Sequence, residues 1–267
     1  MGYDRSVLLD PRNGPDWDLP MSSAPLQPYV IASSPRTGST LLARLLWDTR
    51  LVGAPKEYLN PMQLRDWGLR LASPPTSWAL SLLTGHAVGL AGKPPLCPDP
   101  AQHLAQVKER RTGPAGHFGI KLHFHHFEQH CMGGITALLG ATPKWIHITR
   151  ADRLAQAISW DRALQSGQWA AHQRGPRLPE RYSRKRIQRA LDRIAEQDAG
   201  WQRVLADQAV LHLEYEELLA HKATTLRRCL DWLGIGQAES VALPPDGLRK
   251  QSDGLSASWK QRFQDGD

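Results

Sequence analysis

Cysteine is scarce in this chain: three in 267 residues, at positions 97, 131 and 229, with no Cys-x-x-Cys pair. That excludes a disulfide scaffold and a cysteine zinc site, and it fits a reducing compartment. No apolar run approaches the roughly 18 residues a membrane span needs. The first twenty residues, MGYDRSVLLDPRNGPDWDLP, lack the apolar core of a secretory signal, so the expected location is the cytoplasm. Internal repeats are absent. Apolar residues make up 41% and charged residues 22%, which excludes wholesale disorder. Lys plus Arg exceeds Asp plus Glu by 33 to 26, a net +7, so an anionic partner is compatible with the chain but not chosen by its charge. Ten tryptophans supply large apolar area and single N–H donors suited to cores and ligand pockets.

Residues 1–27, rich in Pro, Asp, Gly and Ser, read as a loose arm, and 28–267 as a single domain. Tyr29–Ala32 is an uninterrupted apolar run, the mark of a buried strand. It enters Ser33-Ser34-Pro35-Arg36-Thr37-Gly38-Ser39-Thr40 and then a helical run with Leu41, Leu42, Leu45 and Leu46. A proline-rich insertion at 73–100 surrounds a possible helix at 76–91. Strands are expected at 117–124, 144–149 and 209–213. Helices are expected from Asp152 to about Gln165, from Ile187 through Leu205, and from Glu216 to Leu233 with Gly234 as the C-cap. Strands alternating with helices predict an α/β fold of P-loop type, a central parallel sheet flanked by helices in three layers.

A strand feeding a glycine loop that opens a helix is an anion cradle, because backbone N–H groups and the helix dipole converge there. The ATP-binding form is GxxxxGK[ST]. Here its first Gly is Ser33, its Lys is Ser39, and the cation stands at Arg36. The strand 144–149 ends in Thr149-Arg150 rather than in a carboxylate able to hold magnesium. A cation in that place points to a nucleotide bound without metal.

The window SSPRTGSTLL resembles the 5′-phosphosulfate loop of sulfotransferases, and Arg150 to Trp160 resembles their 3′-phosphate motif. The Gln156-Ala157-x-Ser159 wording is similar to the bacterial trehalose 2-sulfotransferase-like family, related to nodulation-factor and other carbohydrate sulfotransferases. Further matches are Gly53-Ala-Pro-Lys-Glu57-Tyr58, Gly119-Ile-Lys121, Leu213 to Leu218, and Lys250-Gln-Ser-Asp253 with Trp259. The resemblance implies 3′-phosphoadenosine 5′-phosphosulfate (PAPS) as donor and 3′,5′-ADP as product, with no metal. Arg36, Thr37, Gly38, Ser39 and Thr40 would hold the 5′-phosphosulfate. Arg150 and Ser159 would hold the 3′-phosphate, as an arginine fork and a hydroxyl do well. Lys250 stands where the family usually has Arg, and Ala151 where it usually has Pro. The implied acceptor is a carbohydrate or glycolipid hydroxyl, trehalose included, and a homodimer is compatible with the family.

A hydroxyl acceptor needs a base. Two candidates stand open: Glu57, placed where the family carries a glutamate base, and His123, whose Lys121-x-His123 spacing resembles cytosolic sulfotransferases. Arg36 and Lys121 are the candidates for the sulfuryl group and bridging oxygen. The histidines at 117, 123, 125, 126 and 130 read as a His-rich loop rather than a metal site. The basic run 174–193 reads as a solvated helix face, with no nucleic acid expected. The rival functions are a kinase-like phosphotransferase with a degenerate loop and a non-catalytic nucleotide-binding protein.

Overall fold

The structure is a computed structural model that describes residues 8–71, 99–131, 133–169, 179–236 and 254–266. Among the described residues, four strands form one parallel sheet: β1 Gln27–Ser33, β2 His117–His123, β3 Lys144–Thr149 and β4 Val210–Glu214, in the order β2-β1-β3-β4. The helices are α1 Ser39–Asp48, α2 Pro61–Leu71, α3 Pro100–Arg111, α4 Phe124–His130, α5 Ile135–Leu139, α6 Arg153–Ser166, α7 Arg184–Leu205, α8 Tyr215–Ala220, α9 Lys222–Leu233 and α10 Gly254–Asp265. The expected α/β architecture is present. The helix expected at 76–91 lies outside the described residues. The helix expected over 216–233 is two, α8 and α9, which meet at His221. The C-terminal α10 was not expected from its polar sequence; its Trp259 packs with Trp160, Ile187 and Ile194.

The chain divides into two compact units. The first takes residues 1–30, 50–122 and 126–144; the second takes 31–49, 123–125 and 145–267.

In the first unit, the segment expected to be a loose arm is fastened from Leu8 onward. Asp66 of α2 is fully buried and accepts from Leu9 N at 3.1 Å, Asp10 N at 2.9 Å and Asn13 Nδ2 at 2.8 Å. Arg111 of α3, also buried, donates to the carbonyls of Arg12, Gly14 and Trp17. Lys56 bonds Asn13 Oδ1 at 2.6 Å and Asp10 at 2.8 Å, and burial pulls its ammonium down to about 8. Buried charge is tolerated only when paired, so each of these groups fixes the arm while the arm satisfies it. Gly119 on β2 permits the Tyr29 ring to lie against the strand, since a Cβ there would meet Tyr29 Cζ at 2.3 Å.

In the second unit, β3 and β4 pair in parallel with Thr149 opposite Glu214. The two strands therefore end side by side, and Arg150 and Tyr215 leave the sheet at the same level. Asp152 caps α6 by accepting from Ala155 N at 3.0 Å, and left-handed Gly167 ends it. Ser183 caps α7, whose Ile187, Ala190 and Ile194 pack on Ala157, Ile158 and Trp160 of α6. The described part of the basic run, 179–193, is mostly the outer face of this amphipathic helix; Arg186 pairs with Asp161 at 3.0 Å. Trp201 is fully buried and its Nε1 donates to Ser33 O at 2.8 Å, at the last residue of β1.

Two buried imidazoles make the fold acid-sensitive. Burial pulls His103 and His147 from their ordinary 6.5 to about 4. Both are neutral when folded and free to bind a proton when unfolded. Stability is therefore retained above pH 6.5 and lost as pH falls from 6.5 toward 4. The unfolding midpoint should drop across that window, and the slope should shrink in a His103→Asn, His147→Asn double variant. An unchanged slope in that variant would refute the assignment.

Candidate active site

The second unit carries the loop. β1 ends at Ser33, Gly38 takes a left-handed φ of 78°, and α1 begins at Ser39. The first N–H groups of a helix have no partner within it, so they face the loop's concavity. Arg36 is itself left-handed, with φ 67°, a costly conformation for a residue with a side chain. Thr37 is fully buried and its Oγ1 donates to Ser34 O at 3.1 Å. Its hydroxyl thus shapes the loop. Ser39 is buried and Thr40 exposed.

Three of the residues expected to bind phosphate come together here. Arg36 Nε donates to Ser159 Oγ on α6 at 2.9 Å, and Arg36 Nη1 donates to Trp169 O at 2.7 Å. Arg150 Nη1 donates to Arg36 O at 3.3 Å, and its guanidinium lies over the Tyr215 ring, 4.7 Å from the centroid. Arg150 Nε is buried without a hydrogen-bond partner among the described residues; its nearest carboxylate oxygen, Glu216 Oε1, is 4.0 Å away. A guanidinium N–H in that state is suited to an anion. The sequence reading gave Arg36 to one end of the nucleotide and Ser159 to the other; the structure joins their side chains. Gln156, Tyr215 and Glu216 are also part of this cluster. Their places in matching segments were visible in the sequence, but no role followed from spacing alone.

Gly38 explains how closely Tyr215 approaches. A Cβ at Gly38 would sit 2.3 Å from Tyr215 Cδ2, and the left-handed backbone would be strained as well. Gly38→Ala must push Tyr215 from under Arg150. A left-handed non-glycine residue alone costs about 1–2 kcal/mol, so an affinity for adenosine 3′,5′-bisphosphate weaker by about tenfold is expected in calorimetry. Unaltered affinity would show that the loop does not need this geometry.

The first unit carries the other candidates. Lys121 Nζ of β2 forms an ion pair with Glu57 Oε1, and Asn60 Nδ2 donates to Glu57 Oε2 at 2.9 Å. The Lys121 side chain is 5% exposed and that of Glu57 20%, so the carboxylate is the member that solvent reaches. Asn60 was not expected from the sequence. Its own Oδ1 caps α2 by accepting from Met62 N at 2.9 Å, which fixes the amide toward Glu57.

His123, the other base candidate, belongs to the second unit. It is 9% exposed, its Nδ1 is 3.0 Å from Ser33 Oγ, and its ring stacks on His125 at 5.9 Å. These contacts hold the ring, at the last residue of β2, against the end of β1. Lys250 lies outside the described residues. No group of three or more His, Cys, Asp or Glu able to hold a metal occurs among the described residues.

A family model described as Stf0 sulphotransferase matches residues 28–266. The chain belongs to the Stf0 sulphotransferase family. It is a sulfotransferase, and the loop, the Arg150 cluster and the Glu57 pair all fall within the matched span. The chain is 26% identical over 262 residues to a trehalose 2-sulfotransferase of Mycobacterium tuberculosis, covering 90% of this chain and 96% of the relative. It is 27% identical over 263 residues to a trehalose 2-sulfotransferase of Mycolicibacterium smegmatis, covering 88% and 93%. Among solved structures, a sulfotransferase domain from the curacin biosynthetic pathway superposes with a TM-score of 0.48 at 17% identity, covering 89% of this chain and 83% of that one. No described helix is long and apolar enough to cross a membrane.

Proposed function

We propose that this Stf0 family member transfers a sulfuryl group from PAPS to a hydroxyl of a carbohydrate or glycolipid acceptor, with trehalose the first to try. The observation that carries the donor half is the convergence of Arg36, Arg150 and Ser159, with Arg150 Nε lacking a hydrogen-bond partner among the described residues. Arg36 and the loop 37–40 would bind the 5′-phosphosulfate, while Arg150 and Ser159 would bind the 3′-phosphate. Lys250 is proposed as a further donor contact. The acceptor half rests on the relatives named as trehalose 2-sulfotransferases.

The acceptor hydroxyl forms its bond to sulfur as the bond from sulfur to the bridging oxygen breaks, and 3′,5′-ADP leaves. Glu57 takes the hydroxyl proton. Lys121 and Asn60 orient its carboxylate, and Lys121 also offers positive charge to the reacting sulfuryl group, as does Arg36. A preorganised cation is most valuable where charge develops. No metal ion enters this scheme. We place the enzyme in the cytoplasm and propose a homodimer, which light scattering on the purified protein checks.

A screen with labelled PAPS against trehalose and other glycosides tests the reading. Label transfer to a sugar supports it. Phosphate transfer from ATP would favour the kinase-like alternative. Tight nucleotide binding with no transfer to any acceptor would favour a non-catalytic binding protein.

A further inference from the structure

Gln156 is a polar side chain with no solvent exposure, and the scheme above leaves it without a task. It sits on α6, one turn before Ser159. Its Nε2 donates to Ser34 Oγ at 3.0 Å and to Pro35 O at 2.7 Å. Its Oε1 accepts from Arg153 Nη1 at 3.4 Å. Arg153 is paired with the Asp198 carboxylate of α7, and Ser34 also hydrogen-bonds Asp198. Burial raises the Asp198 carboxyl even though Arg153 opposes the shift. The network therefore ties α6 and α7 to the two residues that precede Arg36.

The position of these contacts matters. Arg36 holds a left-handed φ of 67°, and the peptide that enters it begins at Pro35. Pro35 is buried, so its carbonyl needs a donor, and Gln156 supplies one. Proline offers no N–H to the loop, which leaves that carbonyl as its backbone handle. One turn further along the same helix face, Ser159 accepts from Arg36 Nε. α6 thus grips the loop twice, at the backbone before Arg36 and at the Arg36 side chain.

We propose that Gln156 is a positioning residue for the donor: it holds the Ser34–Pro35 backbone so that Arg36 and the N–H groups after it face the 5′ end of the nucleotide. This rests on the PAPS reading above. It goes beyond that reading because Gln156, whose side chain is spent on Ser34, Pro35 and Arg153, acts through the loop, with an effect confined to one end of the nucleotide. Gln156→Leu removes both donors. Gln156→Glu keeps the shape and, ionised, offers acceptors only.

Calorimetry should compare adenosine 3′,5′-bisphosphate with adenosine 3′-monophosphate, which lacks the 5′ group. For both variants, affinity for the bisphosphate should fall about tenfold, as expected for one to two lost hydrogen bonds. Affinity for the 3′-monophosphate should stay within about twofold, a difference of roughly 0.4 kcal/mol. General damage to the protein would weaken both ligands alike, and that result overturns the proposal. So does unchanged bisphosphate binding in the variants. If the wild-type protein binds neither nucleotide, the donor reading itself fails and this inference falls with it. If Gln156→Leu and Gln156→Glu do not fold, Ser34→Ala carries the test. It should weaken the bisphosphate alone, by about tenfold, because the hydroxyl bonds both the Gln156 amide and the Asp198 carboxylate, and equal binding of both ligands at wild-type strength overturns the proposal.

Discussion

Glu57→Gln should lower kcat by about 10²–10⁴-fold, the range for loss of a general base, while leaving the affinity for adenosine 3′,5′-bisphosphate within about twofold. The amide keeps the size of the carboxylate and can still accept from Asn60. It cannot take the acceptor's proton, and it loses the ion pair with Lys121. Glu57 makes no hydrogen bond to Arg36, Arg150 or Ser159 among the contacts described above, so the variant should separate chemistry from donor binding. His123→Ala is the counter-experiment. Its ring is engaged with Ser33 and His125, so its removal should reduce the melting temperature more than it reduces kcat. A fully active Glu57→Gln beside a stable but inactive His123→Ala would reverse the assignment of the base.

The second large effect is at Arg150. Arg150→Ala should weaken binding of adenosine 3′,5′-bisphosphate by about 10²–10⁴-fold, because hydrogen bonds to charged groups are worth about 1.5–3 kcal/mol each and the fork can make two. The variant also leaves Arg36 O without its 3.3 Å donor and Tyr215 without the cation over its face. The diagnostic comparison is adenosine 5′-phosphosulfate, which lacks the 3′-phosphate. Its affinity should fall far less. An equal loss for both nucleotides would move Arg150 from a 3′-phosphate ligand to a support for the loop. Arg150→Lys should recover only part of the affinity, since a point charge does not reproduce a bidentate fork.

The loop was legible because its signal is local. An apolar strand, a glycine at a left-handed turn and a leucine-spaced helix are consecutive in the chain, and the structure has β1, Gly38 and α1 there. The Arg150 motif was legible for the same reason, since Asp152 caps the helix that follows a strand. What spacing could not convey is partnership between segments far apart. Arg36 and Ser159 are 123 residues apart and bonded at 2.9 Å. Gln156 was legible as part of the Gln156-Ala157-x-Ser159 wording, but its two acceptors, more than 120 residues away, were not.

The N-terminal segment shows the same limit from the other side. Residues 8–18 have the composition of a loose arm: prolines, aspartates, glycine and few apolar side chains. Composition predicts disorder when a segment cannot bury enough apolar surface to offset the entropy of ordering it. Here the ordering comes from Asp66, Arg111 and Lys56, charged groups of other segments that take the arm's backbone and its Asp10 and Asn13 side chains as partners.

The sequence by itself determined the four strands, the helices α1, α6 and α7, the anion loop with its cation at Arg36, and the family to which those words belong. Each of these is written in neighbouring residues, whose periodicity and backbone preference act over a few positions. Only the tertiary structure decided which charges meet. It joined Arg36 to Ser159, stacked Arg150 on Tyr215, paired Glu57 with Lys121 and turned His123 inward to Ser33. A charge or polar group taken out of water must find its complement in space, and that complement can come from anywhere along the chain.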